Sequence, residues 1–429
     1  MNYFYAAKNY DMINFPFKLL AVTSVFILVA AKPAVETVVT ADWNLTLPAG
    51  FKATTVVESL GANRHIVINS NGDIYVRVSK LKDGKGIFVL RNKNGKYEVV
   101  NSFGNYIGTG VAIKNGYLYA SSNNDVYRYK FNANNEISIG DDPEKIVTGL
   151  VGGNQHETKS IILDNAGNLY VTIGAPSNAC QVKDRTAGSP GQDPCPILEK
   201  AGGIWQFKAN QLNQSYAQGV RYATGIRNCV GLDWNNTQNQ LYAMQHGRDQ
   251  LAGLFPDQYT NEQNAEIPAE EFFQIKKGSD FGWPYCHYDP IQKKKLLGPE
   301  YGGDAKKQER CAGKDQPIMA FPGHWAPNDL LFYTGNLFPA KYKNGAFIAF
   351  HGSWNRAPLK QAGYCVVFVP FKNGKPSGDY EIFANGFTGK ESVMGSGQAK
   401  YRPCGLAEGP DGALYISDSK EGRIWKITH

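Results

Sequence analysis

The chain has 429 residues, room for several average domains or for one large closed β architecture. Charged residues make up 19% and hydrophobic residues 42%, against about 25% charged in average globular chains, which excludes bulk disorder. The formal charge of +7 is spread thinly, with lysine runs at 293–295 and 306–307 beside loop residues. No basic stripe interleaved with aromatics occurs, so a nucleic-acid surface is excluded. There are 46 glycines, where average usage would give about 30, together with 24 Tyr, 22 Phe and 7 Trp. That composition reads as many short strands joined by tight turns, and not as a coiled coil or helical solenoid.

At the N-terminus, residues 19–31 run uncharged from Leu19 to Ala31, preceded by Lys18 and followed by Ala34. This reads as a signal-peptide apolar region with a small-residue cleavage zone, too short for a membrane span of about 20 residues. Residues 1–34 are therefore expected to be an export signal and N-terminal extension, with Met12 an alternative start. The expected location is periplasmic or secreted, with no membrane attachment beyond the signal segment.

From residue 40 onward one pattern recurs: an apolar strand, an Asn/Asp/Gly turn, then a strand of the form Ile/Leu-Tyr-Val/Ala. Its copies pair 66–68 with 74–76, 111–113 with 118–120, 161–163 with 169–171, 231–233 with 241–243, and 405–407 with 414–416. A degenerate copy lies at 346–349, and outer strands follow at 126–131, 203–207 and 423–427. Hairpins repeated in four-stranded units imply a β-propeller, and six copies imply six blades. The fold class expected for residues 40–429 is thus all-β, a single six-bladed β-propeller with long inter-strand loops. The competing reading is a β-sandwich with chance repeats.

Four segments beside these strands can carry chemistry. Asn154-Gln155-His156-Glu157-Thr158-Lys159 precedes an inner strand and aims His156 at the channel, where an imidazole can serve as general base. Arg227-Asn228, also just ahead of an inner strand, offers a planar five-donor fork beside an amide, suited to a carboxylate or quinone oxygen. Gln245-His246-Gly247-Arg248-Asp249 follows a strand and can aim carbonyls and a carboxylate at a hard cation, with Trp283 in the aromatic turn 278–286 as a possible wall. His351-Gly352-Ser353-Trp354-Asn355-Arg356 lacks the Gly-x-Ser-x-Gly elbow of a serine hydrolase. Its Arg356 is instead read as a second cationic donor, and Arg64 and Arg402 stand at comparable strand starts. Of seven cysteines, Cys180 with Cys195 and Cys286 with Cys311 bracket polar loops and read as disulfide staples. Cys229, Cys365 and Cys404 remain, so parity leaves at least one thiol free.

Taken in order, these motifs together with Phe281-Gly282-Trp283-Pro284-Tyr285-Cys286, the segment 331–335 and the terminal Pro410-Asp411-Gly412-Ala413-Leu414 resemble the glucose/sorbosone dehydrogenase family. The likeness is greatest to its L-sorbosone dehydrogenase branch and pyranose dehydrogenase relatives, and runs from about Phe51 to the C-terminus. The resemblance implies a six-bladed quinoprotein using pyrroloquinoline quinone and calcium. It implies His156 as catalytic base, Arg227 and Asn228 on the quinone oxygens, and Arg356 on a cofactor carboxylate. Arg64 and Arg402 would be further cofactor donors. Gly247 and Arg248 would bind calcium through their carbonyls, with Asp249 a less secure ligand. Trp283 and His324 are the residues expected near the substrate. Two departures stand out: Lys159 where the family usually carries Arg, and Asn328-Asp329 in a segment that is commonly apolar near the substrate mouth.

The function expected from this is oxidation of an aldose or sugar aldehyde, with electrons passed to a cytochrome or quinone acceptor. The alternatives are a calcium-dependent propeller lactonase or a non-catalytic sugar-binding propeller. The chain lacks the cluster of inward acids a lactonase uses, and the joint presence of His156, Arg227 and Arg356 argues against mere binding.

Overall fold

The computed structural model describes the strand Thr37–Val39 and residues 45–429 except Ile139 and Asp141; the expected export signal lies outside the described residues. Residues 36–429 form one compact unit. Six antiparallel sheets follow one another along it, and their innermost strands are Asn63–Ile68, Val111–Lys114, Ile161–Leu163, Cys229–Asn235, Pro327–Phe332 and Pro403–Glu408. Each inner strand touches the next, closing a ring about a central channel. The six-bladed propeller expected from the repeat is the fold observed, and the degenerate copy at 346–349 is the second strand of blade 5, Ala346–His351.

The ring is sealed by strands from opposite ends of the chain. Blade 6 combines Pro403–Glu408, Leu414–Asp418 and Ile424–Thr428 with the early strand Lys52–Val57, paired antiparallel with Lys52 opposite Thr428. Closure of this kind removes exposed sheet edges. Blades 2 and 3 each gain a short parallel fifth strand, Gln214–Ser215 and Ser279–Asp280, from the connection between the third and fourth strands of the next blade.

Side chains alternate with period two, yet both faces are buried because each blade is sandwiched between two others. In blade 1, Ile74, Val76 and Val78 pack against Tyr415 and Ile424 of blade 6, while Tyr75 packs against Leu118 and Ala120 of blade 2. In blade 5, Phe347 and Ala349 face blade 6, and Ile348 and Phe350 face Tyr242 and Met244 of blade 4. Each interface is a separate apolar core. The hairpin of blade 2 turns on Asn115 and Gly116 at φ +50° and +79°, the left-handed pair a type I′ turn requires.

Long connections gather at the end where inner strands begin and second strands finish. Two are stapled as expected, by Cys180–Cys195 and Cys286–Cys311, and Cys229, Cys365 and Cys404 are free and buried. Asn328 and Asp329, read from sequence as part of a mouth segment, are buried within the inner strand of blade 5. There Asp329 Oδ2 accepts the Leu406 backbone N–H of blade 6 at 2.8 Å. Among the described residues no helix is long and apolar enough to cross a membrane.

Candidate active site at the channel mouth

His156 sits immediately ahead of blade 3 with a left-handed backbone, φ +53°. Its Nδ1 donates to the Ala175 carbonyl at 2.6 Å. That bond fixes the tautomer and leaves Nε2 with a lone pair. Burial, and then the Arg227 guanidinium, lowers its pKa to about 3, so the ring is neutral at working pH. Gly174 makes room for it: a Cβ there would lie 2.6 Å from His156 Cβ and 3.0 Å from Asn228 Oδ1.

Arg227 is buried, with three of its five N–H donors engaged. Its Nη1 donates to the Gly247 carbonyl at 2.8 Å, Nη2 to Asp249 Oδ2 at 2.7 Å, and Nε to the Asn178 carbonyl at 3.2 Å. Asp249 is a hub. Its Oδ2 also accepts from Arg185 at 2.9 Å, Oδ1 accepts from Asn355 at 2.6 Å, and His324 Nδ1 stands 3.7 Å from Oδ1. Although burial alone would raise it, this ring of donors led by Arg227 holds the Asp249 carboxyl well below its ordinary pKa. Asn178 clamps the same residue, donating to its carbonyl at 3.0 Å and accepting its N–H at 2.8 Å. Beneath this loop, Glu270 accepts N–H from Gly247 at 2.9 Å and Ala326 at 3.1 Å, and burial lifts its pKa to about 7.

A neighbouring cavity of about 380 Å³ is lined by Arg64, Arg402, Lys420 and His351 with no acid among its walls. Arg64 Nε donates to Thr109 Oγ1 at 3.0 Å, and Arg402 donates to the carbonyls of His351 and Gly352 at 3.0 and 2.6 Å. Burial lowers the pKa of His65, His246 and His351, and Arg64 adds to it in each case. Neutral imidazoles among arginines make the mouth a receptor for an anion.

The structure therefore brings together His156, Arg227, Asn228, Gly247 and Asp249, with Arg64 and Arg402 alongside. Three other candidates pack beside or behind this cluster. Arg356 spends its guanidinium on Glu266 at 2.6 Å and on the carbonyls of Ala265, Gly323 and Lys360, bracing its own loop. Trp283, 4% exposed, packs on the Cys180–Cys195 bridge and donates to the Asn178 carbonyl at 2.9 Å. His324 is buried behind Asp249, its Nε2 bonded to the Asn264 carbonyl at 2.7 Å. Both side chains are buried. Arg248 turns its side chain away to Glu300 at 2.5 Å.

Sequence reasoning missed Asn178, Arg185, Asn355 and Glu270. Asn178 and Asn355 lie in connections that directly follow second strands, the same topological position as Gly247, and that was the available signal.

Among the described residues no three His, Cys, Asp or Glu side chains converge as a metal site. A cation here would rest on the Gly247 and Arg248 carbonyls. Asn228 Oδ1 and Asn355 Oδ1, both buried and without a hydrogen-bond partner, supply the remaining oxygen chemistry. The cationic cavity and the Arg227-Asn228 pair suit a polycarboxylate quinone. Both groups fit.

The channel mouth thus couples a tautomer-fixed histidine to a cationic pocket. The chain belongs to the TrAA12-like family, whose model matches residues 45–429. It is 22% identical over 437 residues to a pyrroloquinoline quinone-dependent sugar dehydrogenase of Hypocrea jecorina, covering 94% of this chain and 95% of that one. The holo form of the pyranose dehydrogenase PQQ domain from Coprinopsis cinerea superposes with a TM-score of 0.71 at 20% identity, covering 90% of this chain and 98% of that chain. A calcium structure of a Trichoderma reesei family AA12 enzyme gives the same TM-score at 20% identity, covering 90% and 96%.

Proposed function

We propose that the protein is an exported pyrroloquinoline quinone-dependent dehydrogenase that oxidises an aldose, sugar aldehyde or related pyranose and passes the electrons to a cytochrome or quinone. The observation that carries this reading is His156, its Nδ1 committed to Ala175 and its Nε2 free beside Arg227 and Asn228. When bound, the quinone supplies a two-electron acceptor for the C–H bond next to a sugar hydroxyl. His156 Nε2 takes the hydroxyl proton as that bond breaks, and a neutral imidazole is the form that can accept it. Asn228 and the Arg227 fork orient the quinone oxygens, and Arg64, Arg402 and Lys420 hold carboxylates. The Gly247 and Arg248 carbonyls would hold calcium. Asp249, with both oxygens engaged, anchors Arg227 electrostatically.

The test is reconstitution. The mature apoprotein is titrated with pyrroloquinoline quinone with and without calcium, and a panel of aldoses is offered with a dye acceptor. Saturable, calcium-dependent binding with sugar-driven bleaching of the quinone is expected. Absence of binding overturns the reading and leaves a hydrolase or a sugar-binding propeller.

A further inference from the structure

Beneath the mouth lies a buried polar chain that touches no candidate ligand. It starts on the hairpin Cys286–Asp289 with Lys294–Leu297, next to the Cys286–Cys311 bridge. Lys295 is fully buried there, above the stacked rings of Phe273 and Phe281. Its Nζ donates to Glu271 Oε2 at 2.8 Å and to the Phe281 carbonyl at 2.6 Å. Glu271, on the third strand of blade 4 and 2% exposed, accepts at Oε1 from Gln245 Nε2 at 2.7 Å. Gln245 Oε1 in turn accepts the backbone N–H of Arg227 at 2.8 Å.

A buried ion pair is weak evidence for stability, since well-packed apolar residues in its place are often as stable. What this pair does is polarise an amide. A primary amide can present either its oxygen or its N–H₂ to a neighbour. The Glu271 carboxylate accepts only, so it draws Nε2 to itself and leaves Oε1 facing the Arg227 N–H. Burial raises the Glu271 pKa, and the Lys295 ammonium bonded to Oε2 at 2.8 Å opposes that rise and favours the carboxylate. Without the charge, Gln245 is free to turn its N–H₂ toward another N–H, and the Arg227 turn must shift. The side chain of Arg227 would then leave the Gly247 carbonyl and Asp249.

We infer that Lys295 and Glu271 are positioning residues of the cofactor site, acting through Gln245 to fix the Arg227-Asn228 turn. This rests on the reading of that turn as the quinone contact. Lys295 belongs to an insertion of blade 4 and Glu271 to its third strand, and neither place in the chain gives a hint of such a role.

The test compares wild type, the apolar pair Glu271→Leu with Lys295→Met, and Gln245→Leu, each as the full mature chain. The quinone dissociation constant and the melting temperature are measured on all three. The expected result is a quinone affinity about 10–100-fold weaker in both variants, the range seen when outer partners of bound groups are removed, with the apolar pair melting close to wild type. Wild-type affinity in Gln245→Leu overturns the inference, even if the apolar pair fails to fold. A wild-type chain that takes no quinone overturns the reading beneath it instead, so the two failures are distinct.

Discussion

At one end of the channel the inner strands begin among Arg64, His156, Arg227 and Arg402, under connections of up to several dozen residues. At the other end the same strands finish on Ile68, Ile113, Ile162, Leu331 and Leu406 around an open cavity of about 410 Å³. The mouth buries its charges in pairs and hydrogen bonds, as with Asp249. The far end leaves two acids, Asp233 and Glu408, among apolar walls. Asp233 accepts the Trp234 and Phe332 backbone N–H groups at 2.8 and 2.7 Å, and burial pushes its pKa up to about 7. Identical strands thus support opposite chemistry because strand ends are set by what the connections bring to them.

Four substitutions break or sharpen this contrast. His156→Ala should lower sugar-dependent turnover about 10²–10⁴-fold with the quinone still bound, the usual worth of a positioned base. Unchanged turnover would remove His156 from the chemistry. Asp249→Asn should leave Arg227 buried beside a neutral amide, and removing one partner of such a buried pair costs about 3–5 kcal/mol. Thermal melting and quinone titration should both register that loss. Replacing Cys180 and Cys195 together by Ser should cost about 3 kcal/mol in the loop-entropy account of a 15-residue closure. Denaturant unfolding measures it, and quinone affinity should fall too, because Asn178 stands two residues ahead of Cys180 in the same connection.

The smallest effect is at the far end. The folded-state pKa of Asp233 lies above its unfolded value near 3.8, so between about pH 4 and 7 the native state binds more protons than the unfolded one. Its contribution to stability is present below that window and is lost as pH rises through it. Asp233→Asn should flatten this part of the stability–pH curve while leaving turnover alone; a changed rate would mean the two ends communicate.

The propeller was legible because its signal is local and repeated: a period-two strand, a turn, another strand. His156, Arg227 and Asn228 were legible for a related reason, since each stands just ahead of an inner strand. The rest of the site depends on pairs the sequence does not mark. Asn355 meets Asp249 across 106 positions and Asn178 meets Arg227 across 49. Arg356 and Trp283 look like site residues by type, yet loop packing turns both inward. No spacing rule tells a guanidinium that faces a channel from one spent on its own loop.

The seam of the ring has a consequence for assembly in time. Thr54 and Lys426, joined across the last blade, are 372 positions apart. A growing chain therefore makes one side of that blade early and waits for the other until the strands of the sixth blade are made. Arg64 belongs to the first blade and Arg402 to the sixth, and they meet only across this seam. The anion pocket does not exist on an unfinished ring, and occupancy by a polyanion reports that the circle has closed.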